Sequence, residues 1–232
     1  RSLATPMIYL NMCNVLRRTD PDHAAEYEAR AVACIDEIMR YHVRADLGCT
    51  LENTGENGEF RQETTSGRLV NPGHDIECSW FMMEFAQYLP TDQKEKVYQQ
   101  ARLIFDQAIK AGWDQDYGGL LYMIDCLGKP PESYEHDMKI WWPHNEILIA
   151  ALLLYQHTQE EQYWQWFMKT VDYCRQYFSD PEYGEWFGYL RRDGQPTEPA
   201  PKGTIFKGPF HLPRSLIMAD LLLGDIQQQN LF

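Results

Sequence analysis

The chain has 232 residues, 44% apolar and 13% aromatic, which is enough for one large domain with a sizeable core. A formal net charge of −13 argues against nucleic-acid and anionic-membrane partners, which select for lysine and arginine. The longest apolar run, 147–155, is far too short to span a bilayer, and no signal peptide is read.

Thr5-Pro6 opens a first predicted helix over about 5–18, and a second follows over 21–44 with Tyr27, Ala31, Cys34, Ile38 and Tyr41 at helical intervals. Residues 45–71 are polar and glycine-rich, a long loop with room for a short hairpin. Asn71-Pro72-Gly73 is turn chemistry, and Pro72 has the fixed φ that suits a first helical position. The third helix starts there and stops at Leu89-Pro90; the fourth is capped by Thr91 or Asp92 and runs to about Ala111. Residues 112–142 form a second long loop, with a turn into a short strand at 117–124. Trp142-Pro143 opens a fifth helix, apolar on all sides over 147–155 and so expected to be buried on every face. The sixth spans about 160–178, a third long loop follows over 179–208, and Pro209 is expected to open a seventh helix to about Leu223.

The helix-opening prolines in this reading, Pro6, Pro72, Pro143 and Pro209, lie 66, 71 and 66 residues apart. Each period holds a proline-started helix, an amphipathic partner and a long loop, which argues for an array of helical hairpins, stacked or closed into a barrel. The proline-started helices would form the inner layer. Long loops recurring on one side usually build the site. Three of the helix starts carry a histidine: His74, His144 and His211.

His74 falls in a first turn, where unpaired N–H groups and the positive dipole end disfavour a protonated imidazole, with Glu77 three residues on. A neutral histidine over a carboxylate can act as a general base near pH 7, although a cap with a surface carboxylate reads equally well locally. The run Trp141-Trp142-Pro-His144-Asn-Glu146 brings two indoles, an imidazole and a carboxylate to another helix start; core tryptophan with a helix-start glutamate is the plainer reading. Phe206-Lys-Gly-Pro-Phe-His211-Leu-Pro-Arg214 is the third candidate, and the aromatics Tyr183, Trp186, Phe187 and Tyr189 form either a sugar-stacking wall or hairpin packing. His23, His42, His136 and His157 read as surface residues. The six cysteines include no C-x-x-C pair, so zinc and thioredoxin-type readings are weak and reduced, buried thiols in a cytoplasmic protein are expected. No G-x-S-x-G, P-loop or paired-glycine nucleotide fingerprint appears, and neither a metal nor a cofactor is expected.

Four of these motifs together resemble the N-acylglucosamine 2-epimerase family: Asn71-Pro-Gly-His-Asp-Ile-Glu77, Lys139-Ile-Trp-Trp-Pro-His-Asn-Glu146, Asp180-Pro-Glu-Tyr-Gly-Glu-Trp-Phe-Gly-Tyr189 and Phe206-Lys-Gly-Pro-Phe-His-Leu-Pro-Arg214. The resemblance implies an all-α fold, an (α/α)6 barrel with short β-hairpins in its long loops. On that reading residues 1–232 are a single domain, the C-terminal part of the barrel, and roughly five N-terminal helices are missing under the repeat logic. It also implies that His74 and His211 are the acid/base pair, with Glu77 and Glu146 orienting them or the sugar. Trp142, His144, Trp141, Arg214 and Phe206 would bind the substrate. The expected reaction is inversion at C2 of an N-acylglucosamine or N-acylmannosamine through an enediolate. The family's early-helix arginine has no matching segment here. A nucleotide effector, known for some relatives, stays open, as does a homodimer. Two rivals remain: a glycoside hydrolase using two of Asp75, Glu77, Glu146 and Glu185, and a sugar-binding protein without turnover.

Overall fold

Proline costs a helix nothing in its first turn, where its missing N–H would have had no intrahelical acceptor. Four helices use that allowance: α1 (Ala4–Thr19) with Pro6, α4 (Pro72–Ala86) with Pro72, α6 (Trp141–Thr158) with Pro143 and α8 (Leu212–Gln229) with Pro213. The last corrects the expectation for Pro209. Pro209 and His211 lie in the turn before α8, and the first helical bond runs from the Ser215 N–H to the His211 carbonyl at 2.9 Å. The structure, a computed structural model, describes residues 1–229.

The chain divides into two compact units. The first comprises Arg1–Ala111 and Met123–Ser133. Here α1 packs on α2 (Ala24–Glu37) and on α4. A short helix α3 (Thr65–Arg68) precedes α4, and α5 (Thr91–Gly112) follows it. Every residue of α4 is buried except His74 and Glu84. Two-residue strands staple the loops: β1 (Val43–Arg44) pairs antiparallel with β2 (Cys49–Thr50), and β3 (Leu69–Val70) with β4 (Ile124–Asp125). Arg68 and Asp125 form a buried ion pair at 2.8 Å beside the second of these. His42, read from sequence as a surface residue, is fully buried with Nδ1 2.9 Å from the Leu51 carbonyl. Burial pushes its imidazole below the ordinary pKa.

The second unit comprises Gly112–Tyr122 and the chain from Tyr134 onward. Its axis is α6, buried at every residue from Trp141 to Leu154, as its all-round apolar sequence predicted. Helices α7 (Glu161–Tyr173) and α8 pack against it, and β5 (Lys139–Ile140) pairs antiparallel with β6 (Tyr189–Leu190). The proline-started helices α1 and α8 are not sheathed like α4 and α6: Ile8, Tyr9 and Met12 on one, and Leu216, Ile217 and Leu221 on the other, are exposed.

One loop-anchoring pattern recurs three times. The Leu51 N–H donates to the His42 carbonyl, that of Leu121 to Gly112, and that of Phe187 to Phe178, each at 2.8–2.9 Å. The next residue in each case, Glu52, Tyr122 or Gly188, donates its own N–H to a carbonyl shortly before the next repeat segment: Leu69, Met138 or Pro201. The repeat inferred from helix spacing therefore extends into the loops, where Asp46-Leu-Gly48, Asp116-Tyr-Gly118 and Glu182-Tyr-Gly184 recur, each glycine at positive φ and four residues before Glu52, Tyr122 or Gly188. Both α2 and α7 also end in a π-turn, Ile38–His42 and Cys174–Phe178.

Two buried polar centres hold the second unit. The Lys139 ammonium, without solvent exposure, lies 2.7 Å from Asp114, and Arg192 reaches the same carboxylate at 2.8 Å. Burial works to raise the Asp114 carboxyl, but hydrogen bonds from Arg192 and Lys139 outweigh it and hold the group well below the usual carboxylate range. His144 is the other centre. Its Nδ1–H donates to the Ile140 carbonyl at 2.8 Å, its Nε2 accepts from the Leu120 N–H at 3.0 Å, and its ring stacks on Tyr173. Protonating Nε2 would break the Leu120 bond inside a fully buried site. Burial first, with Lys139 nearby, lowers this imidazole from 6.5 to about 3.

Both centres yield expected outcomes. Asp114→Ala strands a buried lysine and should cost about 3–5 kcal/mol of stability in chemical denaturation; a loss under ~1 kcal/mol would remove the ion cluster from the fold's essentials. Because the unfolded His144 titrates near 6.5 and the folded one near 3, the unfolded chain binds the extra proton between those values. The contribution is complete above pH 6.5 and declines as pH falls, by up to about 1.4 kcal/mol per unit. His144→Gln should melt lower than wild type at pH 7 yet lose less on acidification to pH 4; equal slopes would contradict the assignment.

Candidate active site

Each unit presents a histidine at a helix start with a carboxylate on its Nδ1. In the first unit, Asn71 caps α4 by accepting from the N–H groups of Gly73 and His74 at 3.1 and 3.2 Å. The cap fixes His74 as the third helical residue, and its side chain keeps 27% exposure. The carboxylate on His74 Nδ1, at 2.8 Å, belongs to Glu52 of the loop after β2. Glu77, one turn further along α4, is buried at 4% exposure. Asp75 is fully buried, and neither of its oxygens has a hydrogen-bond partner. Burial, and then the Glu52 charge, push the Asp75 carboxyl well above its ordinary pKa.

In the second unit the carboxylate is Glu146, on the first turns of α6 and without solvent exposure. His211, the residue before α8, meets Glu146 Oε1 through Nδ1 at 2.7 Å. Arg214, in the first turn of α8, reaches both oxygens of Glu146 at 2.8 and 3.0 Å. The proline-bounded turn 209–213 accounts for this spacing, since it sets His211 and Arg214 three residues apart at a helix start, where both can reach one carboxylate. Aromatic rings fix the imidazole: Trp142 lies against it at 5.3 Å between centroids, and Phe210 meets it edge-on at 4.8 Å. The Arg214 guanidinium covers the Phe210 face at 4.1 Å.

Within the second unit the structure thus brings His211, Glu146, Arg214 and Trp142 together, and the Trp141 ring also meets the imidazole edge-on at 6.5 Å between centroids. Trp141 is a core residue packed on Tyr189. His144 is committed through both nitrogens to backbone and anchors the 112–122 loop instead of lining a sugar site. Phe206 stands 72% exposed on the loop before α8. Of the 183–189 aromatics, Trp186 stacks on Phe178 and Tyr189 on Trp141, which is hairpin packing, while Tyr183 is exposed. Glu185 pairs with Lys207 at 2.7 Å. Glu52 is the residue that sequence reading missed: it sits in an irregular loop, and only the backbone path brings it to His74.

Chemically, a carboxylate on Nδ1 fixes an imidazole in the tautomer whose Nε2 can accept or return a proton. Both His74 and His211 are so arranged.

Comparison with known proteins agrees with the four motifs. A family model described as N-acylglucosamine 2-epimerase (GlcNAc 2-epimerase) matches residues 5–207. The N-acylglucosamine 2-epimerase of Mus musculus is 36% identical over 231 residues, covering 98% of this chain and 53% of the mouse protein. The chain thus spans about half the length of the curated relatives it matches. Among solved structures, a cellobiose 2-epimerase from Bacillus thermoamylovorans superposes with a TM-score of 0.76 at 22% identity over 95% of this chain and 53% of that one. A D-mannose isomerase gives 0.78 at 18% identity over 95% and 56%. These likenesses establish the fold as the helical-hairpin class of the (α/α)6-barrel enzymes. With the family model covering most of its length, the chain belongs to the N-acylglucosamine 2-epimerase family.

Proposed function

We propose that the protein acts as a sugar 2-epimerase, interconverting N-acylglucosamine and N-acylmannosamine, with His74 and His211 as its acid and base. The observation that carries this reading is the matched pair of His–carboxylate contacts, 2.8 Å at His74 and 2.7 Å at His211, each at the start of a proline-marked helix. Two histidines suit proton transfer next to a carbonyl better than paired carboxylates do, because histidine as a residue type serves as either general acid or general base.

One imidazole takes the C2 proton of the open-chain sugar through Nε2. The C2–H electron pair becomes the C1–C2 double bond, and the carbonyl pair moves onto O1, giving an enediolate. The other imidazole, protonated, delivers its proton to the opposite face of C2 as the double bond reverts to a carbonyl. The two histidines finish with their protonation states exchanged. Glu146 holds His211 in place, and Arg214 reaches both oxygens of that carboxylate. Trp142 offers an indole wall beside the reacting imidazole. The hydrolase alternative loses support from Asp75, which is sealed from solvent, and from Glu185, which is tied to Lys207.

Incubation of N-acetylglucosamine with the protein in heavy water should place deuterium at C2 of both epimers. A glycosidase would instead release sugar from a glycoside with no exchange at C2. His74→Ala and His211→Ala should each lower turnover by about 10²–10⁴-fold. Retention of near-full epimerase activity by either variant would exclude that histidine from the chemistry.

A further inference from the structure

The carboxylate on His74 comes from a loop position with two counterparts in the same chain. Glu52, Tyr122 and Gly188 each follow a residue whose N–H is held by the end of a helix, and each donates its own N–H to a carbonyl further along the chain. The Glu52 carbonyl in turn accepts from the Leu3 N–H at 2.9 Å, as that of Gly188 does from Trp141 at 3.1 Å. The N–H duty is therefore the same in all three repeats, and the carbonyl duty in two of them, yet one position carries a carboxylate, one a phenol and one no side chain. The loop does not need a glutamate. Placing one there is costly, because Glu52 keeps only 12% exposure and stands near a second, fully buried carboxyl, Asp75. A charge that the scaffold neither requires nor favours points to its partner, His74, for its explanation.

We propose that Glu52 is the positioning residue of His74: it accepts the Nδ1–H, fixes the ring orientation and makes Nε2 the unprotonated nitrogen that exchanges the C2 proton. This deepens the epimerase reading and rests on it. When Nε2 takes the proton, the imidazolium faces the Glu52 carboxylate; when Nε2 returns it, the neutral Nδ1–H tautomer is restored and Glu52 is never itself protonated. A neutral histidine in water prefers the opposite, Nε2–H tautomer, whose Nε2 cannot accept a proton. Holding the rarer form is the work assigned to Glu52.

The test uses the full chain labelled with ¹⁵N-histidine, read by long-range ¹⁵N–¹H NMR at a pH where His74 is neutral, so that it does not depend on turnover. In the wild type, Nδ1 of His74 should carry the proton. In Glu52→Ala the signal should move to the Nε2–H form, and added formate, filling the vacated carboxylate site, should move it back. Kinetically, Glu52→Ala should lower kcat by about 10²-fold or more with KM changed less than about threefold, and formate should restore part of the loss. Glu52→Gln, which preserves shape, should remain folded and still lose at least about tenfold in kcat, because a neutral amide does not balance an imidazolium. An Nε2–H tautomer in the wild type, or an unchanged His74 tautomer in both variants, would overturn the proposal. If the variants keep full kcat while His74→Ala is inactive, the role of Glu52 falls alone. If His74→Ala keeps full turnover, the acid/base reading falls and the catalytic role of Glu52 falls with it, even where the tautomer shift is seen.

Discussion

A carboxylate removed from water must regain its hydrogen bonds from the protein, and Glu146 is the case on which the second unit turns. Its position on α6 is dictated by a helix so apolar that every residue from Trp141 to Leu154 is buried. Both its oxygens are then satisfied from one short piece of chain, His211 and Arg214, at 2.7–3.0 Å. Removing either donor would leave the other to balance a charge without solvent, which is the costly way to break a buried pair. The requirement explains why the chain turns at Pro209 and resumes as a helix at Leu212. The donors have to arrive at the start of α8, side by side.

The first unit solves a related problem with different parts. There the histidine sits inside the helix, at the third position of α4, and the carboxylate comes from a loop. In the second unit the carboxylate is helical and the histidine precedes its helix. The two sites share the contact, imidazole Nδ1 to carboxylate, but not the path by which the chain makes it. Orientation of a base by a hydrogen bond at its remote nitrogen is a general device, and it recurs here on unlike local scaffolds.

Regular elements were readable from sequence because their signals are local. The apolar run of α6, the cap and proline before α4 and the proline spacing all announce helices without knowledge of distant residues. The histidines at helix starts could likewise be picked out, and so could Glu146. Glu52 was not: the repeat of its loop position marks a place in the frame without marking chemistry, and its meaning depends on His74, 22 positions away. His42 failed for a related reason. A histidine next to a loop looks exposed until the loop folds back and uses it as a clamp, here through the Leu51 carbonyl. Pro209 misled because Pro213, four residues on, serves the same helix start better. Asp114, Lys139 and Arg192 assemble only in three dimensions, from segments up to 78 residues apart.

The recurring loop anchor has a consequence for how such a chain can vary. At Glu52, Tyr122 and Gly188 the main chain makes the same two anchoring bonds, through the N–H of the preceding residue and its own, and the side chain takes no part in them. Each of these positions is a socket anchored alike from behind, into which different chemistry can be fitted without redrawing the frame. A repeat protein with such sockets separates inheritance of shape from inheritance of reactivity, and substitutions there can retune a site while the helices around it keep their register.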